Sequence, residues 1–130
     1  MTKTATCRCG AVRVECDGEP VRVSVCHCLD CQQRSGSAFS AQARFPEDRV
    51  RISGETRDWV SVGERGNRGI FSFCPTCGST AHYAIDAMPG VVAVPLGNFA
   101  ETDVFAPRFS VWEGRKHSWV EVTGDVEHFR

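Results

Sequence analysis

The stretch "VCHCLDCQQRSG", Val25 to Gly36, places Cys26, Cys28 and Cys31 within six residues. A closed structural zinc site takes four protein ligands, and this cluster offers three. In an extended segment Cys26 and Cys28 fall on one side, and Cys28 and Cys31 share a face if a helical turn begins there. The same geometry turns His27 away from the cluster, towards a packing or hydrogen-bonding role. "LDCQQRSG" is the one stretch that reads as helix, with Asp30 as its cap and Gly36 as its end. Three protein ligands with an open fourth position is the arrangement of a catalytic zinc. That position then takes water or the thiol of a substrate. The rivals are a fourth protein ligand elsewhere, such as His82, or a cluster that holds no metal.

Two further cysteine pairs lie far apart in the chain, "TCRCG" (Cys7, Cys9) and "FCPTCGS" (Cys74, Cys77), and both end in Cys-Gly. A glycine there can adopt positive φ, which lets backbone N–H groups point at the thiolates. Sulfurs around a tetrahedral zinc at about 2.3 Å sit roughly 3.8 Å apart, a spacing such pairs can reach. Together they predict a closed site of four cysteines that ties the N-terminus to the middle of the chain. The alternatives are two unconnected pairs, or a redox pair at "CPTC". The eighth cysteine, Cys16, alternates with Val12 and Val14 and reads as a small buried hydrophobe.

With 130 residues the chain suits one domain, residues 1–130 with a core over about 5–122. The opening "MTKTATCRCG" has no apolar segment of the signal-peptide kind, so a cytoplasmic address is expected. Cysteines in that setting, spaced C-x-C and C-x-x-C, point to metal rather than disulfides. The longest apolar run, "VVAVPL", is far shorter than the roughly 20 residues that span a bilayer, so no membrane partner is expected. Net charge is −1, and thiolates around zinc make it more negative. No basic run offsets this, which argues against nucleic acid as partner.

Period-two alternation dominates elsewhere. It runs through Val21, Val23 and Val25, through Phe39, Ala41, Ala43 and Phe45, and through Val12, Val14 and Cys16. This is the mark of half-buried strands. Further strands are expected over Arg57–Val62, Ile70–Phe73, Thr80–Ile85, Val91–Leu96, Phe105–Trp112 and Ser118–Val122, with turns at "DGEP", "FPEDR", "SGET", "GERGN", "MPG" and "EGRK". The expected architecture is mainly β, built of short antiparallel strands and stapled by metal.

The order "C-x-C-G", "CHCxxC…G", "SGE", "FCPTCGS" and a late Trp119 in "HSWVEV" resembles the glutathione-dependent formaldehyde-activating enzyme family, which includes the centromere protein V-like domain. The resemblance runs from Cys7 to about Val122. It implies a small β-tent, a fold shared with methionine sulfoxide reductase B and a Rab-exchange-factor family. It also implies two zinc ions per chain: a structural one on Cys7, Cys9, Cys74 and Cys77, and a catalytic one on Cys26, Cys28 and Cys31. The implied reaction joins glutathione to formaldehyde as S-hydroxymethylglutathione, formally a carbon–sulfur lyase reaction in reverse. Two places depart from the family pattern. "IFSF" lacks a basic residue before the second knuckle, and "GNFAETD" stands where "G-x-L-D-D-P" is common. Both leave the cysteines intact and bear on which thiol or aldehyde fits.

Glutathione carries two carboxylates, so Arg34, one helical turn beyond Cys31, is a candidate anchor for the thiol substrate; a solvated surface charge is its bland alternative. A carrier that binds the adduct without accelerating its formation would use the same residues. A non-catalytic zinc scaffold is the second class of function. Redox chemistry would need a cysteine outside the zinc sites, and Cys16 among its apolar neighbours is poorly suited.

Overall fold

The computed structural model describes residues 1–63 and 65–130. Its described residues form two sheets. The smaller has the order β1-β2-β5, from β1 (Thr2–Thr6), β2 (Arg13–Asp17) and β5 (Val50–Ser53). The larger has the order β11-β10-β3-β4-β9-β8-β7-β6. Its strands are β3 (Arg22–Cys26), β4 (Ser40–Pro46), β6 (Arg57–Val62), β7 (Arg68–Phe73), β8 (Thr80–Ile85), β9 (Val91–Pro95), β10 (Phe109–Val111) and β11 (Glu127–His128). The fold is mainly β, as the alternation predicts. The pairings are antiparallel except those of β10 with β3 and with β11, which are parallel.

The main core lies between the sheets. Ala5, Val14 and Cys16 of the small sheet meet Val23, Ala43, Phe45 and Val94 of the large one, and Phe99 closes the cluster. Cys16 is fully buried there, in keeping with its alternation with Val14. Two of these rings pack on Phe105, Phe45 at 5.8 Å and Phe99 at 5.4 Å, both edge to face, the arrangement that suits the ring quadrupole. A second small cluster, Val12, Ala81, Cys7 and Cys74, surrounds the first cysteine site.

Four expectations are corrected. Strands β3 and β4 are not half-buried: Ser24, Ser40, Gln42 and Arg44 are buried too. They lie mid-sheet and bond to one another instead of to water. Gln42 Nε2 donates to Ser24 Oγ at 2.8 Å, Arg44 Nη1 donates to the same oxygen at 3.0 Å, and Tyr83 Oη donates to Gln42 Oε1 at 2.9 Å. Paired this way, buried polar groups avoid the cost of an unmade bond. Residues Ser118–Val122 are not a strand: Ser118 and Trp119 form a turn closed by Val120 N–H donating to the His117 carbonyl, and an irregular segment follows. Only Val120 of that stretch is buried, so its valine alternation serves as a single anchor. The strand expected over Phe105–Trp112 shrinks to Phe109–Val111. The single α-helix among the described residues, α1 (Leu29–Ser35), is capped by Cys28 and not by Asp30: Cys31 N–H donates to Cys28 Sγ at 3.3 Å. Asp30 sits in the first turn, where its charge suits the helix dipole, and Gly36 ends the helix at φ 68°.

Candidate metal centres

The first centre is built by two loops. Cys7 follows β1, and its tight turn is closed by Gly10 N–H donating to the Cys7 carbonyl at 3.1 Å. Cys74 follows β7, and Gly78 N–H donates to the Cys74 carbonyl at 2.8 Å. Gly78 has φ 79°, a left-handed conformation in which a side chain would be strained. The loops bring Cys7 and Cys9 sulfurs to 3.7 Å, and Cys9 and Cys74 sulfurs to 3.7 Å. These match the roughly 3.8 Å edge of a tetrahedron of four sulfurs around zinc. Cys7, Cys9, Cys74 and Cys77 form one group able to hold a metal ion.

The electrostatics favour thiolates at Cys7 and Cys77 but not at Cys9, where the Ala11 N–H is outweighed by burial and the neighbouring cysteines, which push the thiol up to about 11. Burial works against a charged Cys7, but the Val12 N–H, 3.2 Å from its sulfur, brings its pKa below the ordinary value. The Ser79 hydroxyl, then the backbone N–H groups of Ser79 and Cys9, bring Cys77 down to about 5.

The second centre sits where β3 runs into α1. Cys26 ends the strand, Cys28 caps the helix and Cys31 lies in its first turn. Together they form the other group able to hold a metal. Neither group includes Cys16 or His82 among the described residues. Hydrogen bonds from Cys26, then Cys28, outweigh burial and lower Cys31 to about 2, with Ser40 and the Arg34 charge adding to the effect. Cys26 is pushed up by the hydrogen bonds that Cys28 and Cys31 make with it. One thiolate is therefore already favoured within the trio.

The loop is fixed from its other side. Gln32 Nε2 donates to the carbonyls of His27 (2.8 Å) and Arg115 (3.0 Å), while Gln32 Oε1 and His117 Nε2 lie 2.8 Å apart. His27 is fully buried with Nε2 2.9 Å from Ser110 Oγ, the hydrogen-bonding role its placement predicts.

Cys31 opens on a cavity of about 240 Å3. The helix contributes Asp30, Cys31, Gln33 and Arg34, and the β6–β7 hairpin contributes Trp59, Ser61 and Phe71. The Arg34 guanidinium lies 4.9 Å from the Phe71 ring centre and 5.0 Å from that of Tyr83. Arg34 thus shares a cavity wall with Cys31, as one helical turn of spacing suggests. The hairpin wall has no counterpart in the sequence reading. Alternation marks Trp59 and Phe71 as strand residues but carries no signal of which helix they face.

A mainly β fold whose loops and helix gather seven cysteines into two groups able to hold metal ions defines a class of small cysteine-clustered β domain. Within it, the chain belongs to the family described as "glutathione-dependent formaldehyde-activating enzyme", whose model matches residues 2–115. The chain is also similar to a Rhodobacter sphaeroides protein of known crystal structure, at 25% sequence identity and a TM-score of 0.53, over 73% of this chain and 85% of that one. The curated proteins give no match. No helix among the described residues is long and apolar enough to cross a membrane.

Proposed function

We propose that this chain, acting as one cytosolic domain, joins a thiol such as glutathione to formaldehyde or another small aldehyde as an S-hydroxymethyl adduct. In the lyase direction the adduct is cleaved. The thiol sulfur forms a bond to the carbonyl carbon, the C=O π pair moves to oxygen, and the proton lost by the thiol ends on that oxygen. Two zinc ions are proposed per chain, a structural one on Cys7, Cys9, Cys74 and Cys77 and a catalytic one on Cys26, Cys28 and Cys31. Zinc held by these three cysteines would supply a bound substrate thiolate at neutral pH.

One observation carries this reading: a three-cysteine group whose Cys31 faces a cavity that also holds a cation, Arg34. The ring faces of Phe71 and Tyr83 hold the guanidinium in place. It is pre-positioned to take a substrate carboxylate by paired N–H donors. Trp59 and Phe71 add apolar surface to the same cavity.

Exchange NMR of a glutathione–formaldehyde mixture tests the proposal, because adduct and free thiol interconvert without help and only a catalyst changes the rate. Zinc-loaded protein is expected to raise the exchange rate, and Cys31→Ser to abolish the gain. An unchanged rate, with the adduct still bound, would make the protein a carrier. An unchanged rate without binding would make it a scaffold.

A further inference from the structure

Asp30 and Arg34 stand four residues apart on α1, the spacing at which opposite charges on a helix ordinarily meet. Both line the cavity beside Cys31, yet no ion pair joins them among the described residues. The reason lies in Arg34, which turns onto Phe71 and Tyr83 and reaches Thr80 Oγ1 at 3.5 Å. Ring-face contacts are worth at least as much as an exposed helix ion pair, so the arginine stays on the rings. The cavity is left with an anionic and a cationic side chain from α1, beside the apolar surface of Trp59 and Phe71.

We infer that this cavity recognises the zwitterionic head of an α-amino-acid thiol, with Asp30 taking the ammonium and Arg34 the carboxylate. The inference rests on the thiol-binding reading of the Cys26–Cys28–Cys31 site and adds what selects among thiols. A head group with both charges on one carbon satisfies both ends together, and its methylene groups lie against the aromatic wall. A mercapto acid leaves the Asp30 carboxylate facing no cation, and an aminothiol leaves Arg34 without an anion. Free cysteine and γ-glutamyl peptides such as glutathione share this head group.

Calorimetric titration of the zinc-loaded protein tests the inference, with metal content checked before and after. The probes are cysteine, glutathione, 3-mercaptopropionate, which lacks the ammonium, and cysteamine, which lacks the carboxylate. Cysteine or glutathione is expected to bind about tenfold more tightly than either single-charge thiol, the effect of one charge-assisted hydrogen bond. Whichever of the two binds more tightly identifies the source of the head group. Asp30→Asn is expected to weaken cysteamine and the zwitterions about tenfold while leaving 3-mercaptopropionate unchanged. Arg34→Gln is expected to do the reverse for the two single-charge probes. Asp30→Arg is expected to turn the preference towards 3-mercaptopropionate. Equal affinities for all four thiols, or rankings that survive these substitutions, would overturn the zwitterion assignment while the thiol site stands. Failure of every thiol to bind the zinc-loaded protein would overturn both.

Discussion

The sulfur of Cys9 lies 3.7 Å from that of Cys74, although 65 residues separate them in the chain. This contact joins the loop after β1 to the loop after β7, so it closes the longest connection in the first cysteine group. The second group closes a span of only six residues, Cys26 to Cys31. The two groups therefore differ in what they do for stability.

Cys74→Ser is expected to leave the protein unfolded or aggregated. Structural zinc contributes about 10 kcal/mol or more in small zinc domains, comparable with the whole stability of a domain. Cys28→Ser is expected to lower the melting temperature by only a few degrees. Serine is a good N-cap, so the helix keeps its capped start when the sulfur is lost. Thermal melts of the two variants decide this, and equal loss of folding would mean that both groups are structural.

Cys16→Ala is expected to leave zinc content unchanged and to cost about 1 kcal/mol near pH 7, as ordinary core truncations do. The cost should also depend on pH. Burial pushes the Cys16 thiol up to about 11, from an ordinary value of 9.0. Above pH 9 the unfolded chain loses this proton while the folded chain keeps it, so the wild type loses stability as pH rises towards 11. The alanine variant has no such group. Urea unfolding at pH 7, 9 and 11 should show the gap between the two proteins narrowing, and a constant gap would count against the buried-thiol account.

Gln32→Ala is expected to cost about 1–2 kcal/mol, because it strips donors from the carbonyls of His27 and Arg115. The loss falls on the loop between Cys26 and Cys28. A chelator competition should therefore release one metal faster in this variant and leave the other unchanged. Faster release of both would place the effect on global folding instead.

The cysteine spacings and valine alternation made much of this molecule legible before its structure. The pairing of Cys7 and Cys9 with Cys74 and Cys77 was readable because each knuckle carries its own glycine. The burial of Cys16 followed from its neighbours. Ser24, Gln42 and Arg44 were not readable as buried, since alternation marks polar positions as outward and cannot tell a mid-sheet strand from an exposed one. Cys28 as helix cap was hidden because cysteine is not an ordinary capping residue and Asp30 is. Strand β1, "TKTAT", carries one buried residue, Ala5, too little pattern to announce a strand. The cavity wall of Trp59, Ser61 and Phe71 depends on how the β6–β7 hairpin folds over α1, a tertiary relationship with no local code.

The fourth ligand at the Cys26–Cys28–Cys31 site is the central question, and X-ray absorption at the zinc edge addresses it most directly. In thiol-free protein carrying two zinc ions, the average sulfur coordination is expected to fall below four, because one closed site of four cysteines is averaged with a site of three. Adding glutathione should raise the average towards four as the substrate thiol completes the second tetrahedron. An average of four before any thiol is added would mean that a further cysteine already closes the site, and would contradict an open position for substrate.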